Sequence, residues 1–188
     1  MELALFTDEG HRKYLTDRES RQFLRSAELL PMKARLLCCV LTFTGCRLSE
    51  ALALYRDHID EGAITIRTLK RRKLVFRRVP VPEWLCAALI AEAGQGQPIF
   101  NVHRTTGYRW VKRAMRCSGV SGAQACPKGL RHGFGIRAAL GKAPISLVQR
   151  WLGHASPVTT SIYLDAEGDE ERHFADVCWQ RLSTRSGA

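Results

Sequence analysis

Apolar residues recur at helical spacing through the first third of the chain, and they predict three helices there. The first covers residues 16–30, which open with Thr16 and Glu19 at the spacing of a capping box. A second, more uniformly apolar helix covers residues 33–43. A glycine then interrupts the pattern, and residues 46–55 predict a third helix with its apolar positions on one face. The first third of the chain is therefore expected to be entirely helical.

The middle of the chain has a different pattern, which predicts a small β-ribbon followed by more helices. Residues 63–66 and 74–76 are rich in β-favouring side chains, and the basic stretch 70–73 lies between them as a turn. Helical patterns then follow over 84–93, 108–116, 130–140, 145–152 and 159–164. The expected fold is mainly α with one small antiparallel β-sheet, in the α+β class.

The chain has the length and apolar content for one domain. It has 188 residues, of which 45% are hydrophobic, and this suffices for a single substantial core. We expect one domain across residues 1–188, with residues 1–14 as a flexible arm and residues 167–188 as a C-terminal tail helix.

Charge and cysteine content narrow the classes of function. The 29 Lys and Arg residues outnumber 18 Asp and Glu, and a formal charge of +11 favours a polyanionic partner. The seven cysteines form no CxxC pair and no cluster with histidine at zinc-ligand spacing, so we expect reduced thiols and no metal site. The longest apolar run, Leu36 to Leu41, is far too short to span a bilayer. The expected setting is the cytoplasm, with no membrane partner.

Three short blocks of sequence bring together residues suited to phosphate chemistry. They are Thr44–Glu50 (TGCRLSE), Lys128–His132 (KGLRH), and Leu152–His154 (LGH) followed by Thr160–Tyr163 (TSIY). In this order the blocks resemble the tyrosine recombinase family, also called the phage integrase family. The resemblance runs from about residue 15 to residue 165, and the basic ribbon falls where that family keeps a catalytic lysine. It implies a site-specific recombinase that cuts and rejoins DNA without a cofactor.

Two arginines of these blocks suit the binding of a phosphodiester. Its transition state concentrates negative charge, and guanidinium groups stay charged and hold two oxygens in a fork. The resemblance makes Arg47 and Arg131 the phosphate-clamping arginines. On an isolated helix, Arg47 would more simply pair with Glu50 at i,i+3. The surrounding block favours the catalytic interpretation.

Tyr163 is the nucleophile that the resemblance implies. Its attack on phosphorus would leave a 3′-phosphotyrosyl link and a free 5′-hydroxyl. Taken alone, a tyrosine is more often a core-edge residue with a wet hydroxyl. Lys70, at the tip of the ribbon, matches the family's general acid for the leaving oxygen, with Lys73 as the rival.

His154, Lys128 and His132 complete the expected site. The resemblance implies that His154 donates a hydrogen bond to the phosphate. Lys128 stands where the family most often has histidine. An ordinary lysine stays protonated, which favours an electrostatic role over that of a base. We expect His132 to be structural and to pack beneath the site.

Two basic segments flank these blocks and are candidate DNA contacts. The ribbon between Arg67 and Arg78 carries seven basic residues in twelve and should track phosphates, whereas the helix that follows Arg104 should enter the major groove. Solvated surface is the plainer interpretation of both segments. The predicted DNA-binding residues are Arg67, Arg71, Arg72, Lys73, Arg104, Arg109, Lys112 and Arg113.

The resemblance also bears on partners and alternatives. It implies double-stranded DNA as the partner, a homodimer on one site and a tetramer in synapsis, in the bacterial cytoplasm and associated with the nucleoid. The family's usual N-terminal core-binding domain is not expected within these residues, so the chain resembles either the short members of the family or a fragment of a longer protein. A type IB topoisomerase and a DNA-binding regulator without catalysis remain the alternative functions.

Overall fold

The computed structural model describes residues 5–69 and 75–163, and within these ranges the chain is mainly helical. The helices are α1 (Asp17–Ala27), α2 (Met32–Thr44), α3 (Leu48–Leu52), α4 (Glu83–Glu92), α5 (Arg104–Cys117), α6 (Pro127–Leu140), α7 (Ile145–Leu152) and α8 (Val158–Ser161). The strands are β1 (Ile59–Asp60), β2 (Ala63–Arg67) and β3 (Phe76–Pro80). This arrangement confirms the predicted α+β class.

The sheet is antiparallel in the order β1-β2-β3. Ile64 and Ile66 on β2 are fully buried, and they pair with Val79 and Arg77 on β3. Alternate positions of β3 therefore face the core, as the period of a strand requires. One of these inward positions is an arginine, whose partners lie in the candidate site.

Most of the core surrounds α2, which packs against α1, α4, α5 and α6. Nine of its thirteen residues are buried, in agreement with its uniformly apolar sequence. Gly45 ends α2 in the left-handed conformation (φ 61°), and its amide donates to Leu41 O. Glycine adopts this conformation without the steric cost that other residues meet. The turn ends α2 two residues before Arg47.

A second hydrophobic cluster supports the far side of the site. It joins Ile136 on α6, Val148 and Leu152 on α7, Tyr163, and two residues of the N-terminal segment, Leu5 and Tyr14. Residues 5–14, expected as a flexible arm, form a turn in which Lys13 N donates to Leu5 O at 2.7 Å. The arm therefore packs against the elements that carry the site.

Several helices begin or end a few residues away from their predicted bounds, α3 and α5 among them. The third helix was predicted to reach residue 55 but ends at Leu52, and a 3₁₀ turn follows at Arg56–His58, where His58 Nδ1 accepts from Tyr55 N. Such local side-chain bonds compete with the helix. Helix α5 begins at Arg104, four residues before its predicted start at 108. Strand β1 was not predicted at all.

The tip of the ribbon at 70–74 and the tail from residue 164 onward lie outside the described residues. The predicted tail helix at 167–188 is therefore not described. Within the ranges that are described, no helix is long and apolar enough to cross a membrane.

Candidate active site

The three sequence blocks meet around one cleft of about 540 Å³. Four cationic side chains line it: Arg47, Arg104, Lys128 and Arg131. His132, His154 and Tyr163 complete its polar wall. No Asp or Glu lines this cleft within the described parts of the chain, so the site is suited to an anion.

Arg131, on α6, is held by the ends of two other helices. Its Nη1 donates to Gly45 O and its Nη2 to Leu152 O, both at 2.8 Å. Each carbonyl lies at a helix C-terminus, where the helix dipole favours a cation. Burial, with repulsion from Arg47, lowers the pKa of Arg131 to about 10, so the guanidinium remains charged at neutral pH. The two carbonyls therefore hold the guanidinium group of Arg131 in one orientation.

Arg47 is the N-cap residue of α3 and is tied to Glu50. Its backbone N donates to Glu50 Oε2 and its Nη1 to Glu50 Oε1, both at 2.9 Å. This is the i,i+3 pair that the sequence offered as the plain alternative, yet Arg47 also lines the cleft. The pairing and the cleft position coexist because the Arg47 side chain is 28% exposed while that of Glu50 is buried.

Arg77 is a buried residue of the site that the sequence analysis did not single out. Only 4% of it is exposed. Its guanidinium donates to Glu50 Oε2 at 2.7 Å, to Thr68 Oγ1 at 2.8 Å and to Trp151 O at 2.7 Å. It therefore joins the sheet to α3 and to the end of α7. The strand period of β3 could have indicated that position 77 faces inward.

Glu50 balances the two guanidinium groups beneath the cleft. Burial acts to raise its pKa, but the charge and hydrogen bond of Arg77, followed by the contacts with Arg47, outweigh burial and lower the pKa below 4.5. The carboxylate is therefore ionised at neutral pH. The buried carboxylate of Glu50 therefore holds Arg47 in the cleft wall and Arg77 beneath it.

His154 follows the left-handed residue Gly153 (φ 67°) after α7. Its Nδ1 lies 2.9 Å from Thr160 Oγ1, and only 7% of the residue is exposed. Burial and then the neighbouring cations, Arg131 and Arg47 first, lower the pKa of His154 to about 3. The imidazole is neutral at physiological pH.

Tyr163 is almost fully buried, with 2% of its surface exposed. Its ring stacks on His154 with an interplanar angle of 16°, and it lies against Gly135, where any side chain would collide with it. Burial raises the pKa of Tyr163 to about 12, although Arg131 and Arg47 act in the opposite direction. The phenol is protonated at neutral pH.

His132 contacts the hydroxyl of Tyr163, and this contact was not predicted. His132 Nδ1 lies 3.1 Å from Tyr163 Oη. Burial and the charges of Lys128, Arg131 and Lys13 lower the pKa of His132 to about 4. The residue is buried beneath the cleft, as expected, but it touches a candidate reactive atom.

The predicted DNA-binding residues fall into three groups. Arg67, Arg104, Arg109 and Arg113 are exposed. Lys112 is half-buried, and its Nζ donates to Ala125 O at 2.8 Å. Arg71, Arg72 and Lys73 lie outside the described residues.

Two of the predicted catalytic residues are lysines. Lys128 is exposed at the mouth of the cleft, and Lys70 lies outside the described residues.

The described cysteines are free thiols, and four of them, Cys38, Cys39, Cys46 and Cys86, are buried. Burial raises the pKa of Cys46, next to Arg47, to about 11. Over 5–69 and 75–163 no group of three or more His, Cys, Asp or Glu side chains is arranged to hold a metal ion.

Comparison with known sequences identifies the family. The model of the phage integrase family matches residues 13–170. Tyrosine recombinase XerD of Mycobacterium tuberculosis (strain CDC 1551 / Oshkosh) is 32% identical over 151 residues, which are 71% of this chain and 48% of that protein. Tyrosine recombinase XerC of Mycobacterium bovis (strain BCG / Pasteur 1173P2) is also 32% identical, over 71% of this chain and 50% of its own length. The chain thus spans about half the length of these relatives.

Solved structures of recombinases share the fold. XerH recombinase bound to palindromic difH substrate, in a post-cleavage complex, gives a TM-score of 0.76 at 24% identity, covering 89% of this chain and 53% of that one. XerA recombinase gives a TM-score of 0.72 at 23% identity, covering 93% of this chain and 66% of that one. With the fold, the three blocks and the family model in agreement, the chain belongs to the phage integrase family of tyrosine recombinases.

Proposed function

We propose that this chain is the catalytic domain of a site-specific recombinase, which cuts and rejoins DNA strands through a covalent bond to Tyr163. The observation that carries the proposal is the cleft itself. A buried tyrosine and two fixed guanidinium groups, those of Arg47 and Arg131, meet there with no carboxylate among the described lining residues. Family membership supports the same chemistry.

The scissile phosphate would bind between Arg47 and Arg131. A phosphodiester resists attack because its oxygens are negative, and charges fixed in advance stabilise the transition state without reorganisation. Arg131 meets this requirement because two helix-terminal carbonyls hold it, and Arg47 meets it through Glu50. His154 would donate a further hydrogen bond to the phosphate.

Tyr163 would then attack phosphorus. Its oxygen forms a bond to phosphorus as the bond to the 5′-oxygen breaks, and the DNA is left joined through a 3′-phosphotyrosyl link. The new ester keeps the energy of the broken bond, so a 5′-hydroxyl can reseal the strand with no external energy source. Lys70, outside the described residues, is the proposed proton donor to the leaving 5′-oxygen.

Lys128 is proposed to act as an electrostatic clamp. It lies at the exposed mouth of the cleft, on the first turn of α6, and an ammonium group has three donors and no acceptor. Its charge would attract a DNA phosphate to the cleft, in keeping with an overall charge of +11.

Double-stranded DNA is the proposed partner, and the exposed face of α5 is the proposed main contact. Arg104, Arg109 and Arg113 are exposed on this helix while Val111 anchors its other side in the core. Arg67 would contact phosphates from the ribbon, together with Arg71, Arg72 and Lys73 outside the described residues. Since its ammonium is engaged by Ala125, Lys112 would contribute through charge alone.

The assembly is proposed to be a dimer on one site and a tetramer when two sites meet. A relative in fold, lambda integrase, is known as a dimer bound to its COC′ core site. The protein would act in the bacterial cytoplasm, on the nucleoid, since XerD of Mycobacterium tuberculosis and XerC of Mycobacterium bovis, to which it is similar, are bacterial recombinases.

A covalent-trapping assay tests this function. Wild-type protein and Tyr163→Phe are incubated with nicked DNA from the native locus, and adducts that survive denaturation are counted. We expect an adduct from wild type and from the control Tyr55→Phe, whose tyrosine is exposed, and none from Tyr163→Phe. Specific DNA binding without any adduct would contradict the proposed recombinase activity and favour a DNA-binding regulator without catalysis.

A further inference from the structure

His132 lies against the one atom of Tyr163 that must lose a proton during attack. We propose that His132 accepts this proton through Nδ1 when Tyr163 attacks phosphorus, and returns it when the strand is resealed. The proposal rests on the proposed function and adds a catalytic residue to it. Its starting point is a distance of 3.1 Å between His132 Nδ1 and Tyr163 Oη.

The distance lies within the reach required of a general base, about 2.6–3.2 Å between heavy atoms. Both partners are fixed, since His132 is 8% exposed and Tyr163 2% exposed. His154, the other histidine of the described cleft wall, instead stacks on the ring of Tyr163 and has Nδ1 engaged by Thr160. His132 is therefore the imidazole aimed at the hydroxyl.

Lys128 does not compete for this role. It lies one turn before His132 on α6, but a protonated amine has no lone pair to receive a proton. Burial, and after it the positive charge of Lys128, lower the pKa of His132. The imidazole is therefore neutral, and its ring lone pair is available.

Packing alone does not account for a histidine at position 132. Its Nε2 is buried and has no hydrogen-bond partner among the described residues. A buried polar group without a partner costs about 1–3 kcal/mol, and an apolar side chain would fill the same space without that cost. The proposal assigns the proton of the neutral ring to Nε2, which leaves Nδ1 as the acceptor.

The charges around His132 also couple its basicity to DNA binding. Burial lowers its pKa most, and the charges of Lys128 and Arg131 on α6 and of Lys13 in the N-terminal segment lower it further, to about 4. A bound phosphate brings negative charge to Arg131 and Lys128, which offsets their repulsion of a proton on His132. The base therefore becomes stronger when the substrate is in place.

The step balances as follows: the O–H bond of Tyr163 breaks, and its proton moves to His132 Nδ1 as the Tyr163 oxygen bonds to phosphorus. The bond from phosphorus to the 5′-oxygen breaks, and that oxygen takes a proton from the general acid. In resealing, the imidazolium returns its proton to the departing phenolate. No oxidant, reductant or metal takes part.

The first test compares adduct formation by wild type and His132→Asn. An asparagine amide can hold the hydroxyl of Tyr163 but cannot take its proton, so we expect DNA affinity to be unchanged and the cleavage rate to fall by about 100-fold or more. The matched control is His11→Asn, an exposed histidine, which should cleave like wild type. Equal rates for His132→Asn and wild type would overturn the proposal alone, whereas no adduct even from wild type would overturn the proposed function as well.

A chemical rescue separates proton transfer from positioning. Replacing Tyr163 by 3,5-difluorotyrosine makes the phenol more acidic, so that the reaction depends less on an acceptor. We expect this change to restore at least about ten-fold of the rate lost in His132→Asn. A slow His132→Asn that is not rescued would mean that His132 only positions the tyrosine, and the proposal would fail.

A measurement on the wild-type protein requires no variant to fold. The ¹⁵N chemical shifts of the His132 ring report which nitrogen carries the proton. The proposal requires a neutral ring at pH 7 with the proton on Nε2 and none on Nδ1. A proton on Nδ1, donated to Tyr163, would overturn it.

Discussion

Replacing Arg77 by methionine should destabilise the protein far more than the same change at the adjacent Arg78. Arg77 is 4% exposed and gives three hydrogen bonds, one of them to the buried carboxylate of Glu50. Methionine keeps much of the volume but removes the cation. Glu50 then keeps only Arg47 as a charged partner among the described residues, and the carbonyl of Trp151 loses a donor.

The size of the effect follows from burial. Breaking a buried ion pair by removing one partner costs about 3–5 kcal/mol when the remaining charge has no other partner, and the lower end applies here because Arg47 still pairs with Glu50. Arg78 also pairs with a carboxylate, Asp60, at 2.8 Å, but their side chains are 57% and 65% exposed. Pairs of that kind contribute about 0–1 kcal/mol. The two substitutions should therefore differ by about 3 kcal/mol.

Urea unfolding followed by circular dichroism measures this difference. Arg77→Met should lower the midpoint by about 1 M or more, whereas Arg78→Met should leave it nearly unchanged. The double variant Glu50→Gln with Arg77→Met should be more stable than Arg77→Met alone, since it removes the buried carboxylate that has lost one of its two charged partners. Equal losses at positions 77 and 78, or no recovery in the double variant, would refute the reasoning.

Three further predictions concern the site. Gly45→Ala should destabilise the protein by at least about 1–2 kcal/mol in the same unfolding assay. Alanine disfavours a φ of 61°, and its Cβ would lie 2.5 Å from Phe134. An unchanged stability would contradict a left-handed, closely packed residue at this position. Arg131→Lys should slow adduct formation by about 100-fold or more, because an ammonium group cannot hold two phosphate oxygens as a guanidinium does. A rate near that of wild type would rule out phosphate binding by Arg131. The free energy of unfolding should fall as the pH drops from 6.5 towards 4. The pKa values of His132 and His154 are about 4 and 3 in the folded protein, whereas the same histidines bind protons near pH 6.5 in the unfolded chain. Urea midpoints that stay constant over this range would contradict neutral, buried imidazoles.

The sequence was sufficient to predict the fold class, and the three blocks that it singled out lie around one cleft. Helical periodicity located α1, α2 and α7 to within a few residues, because their apolar faces are read directly from the spacing. The three blocks converge on one cleft, as their resemblance to the family implied. Each helix and each block could be predicted because it depends on residues that are close together in the sequence.

Contacts between distant parts of the chain could not be predicted in this way. Arg77 belongs to a basic run that suggested an exposed ribbon, yet its guanidinium reaches Trp151, 74 positions away. The contact between His132 and Tyr163 joins residues 31 positions apart. Lys112 was predicted to bind DNA, but its ammonium holds the carbonyl of Ala125. Each depends on how the helices pack, which composition and spacing do not determine.

The most direct test of the account is to identify the residue that becomes joined to DNA. Wild-type protein trapped on nicked DNA would be digested with protease and nuclease, and the peptide that carries a nucleotide would be sequenced by mass spectrometry. The account predicts a nucleotide attached through its 3′-phosphate to Tyr163. Attachment to another residue, or through a 5′-phosphate, would contradict it.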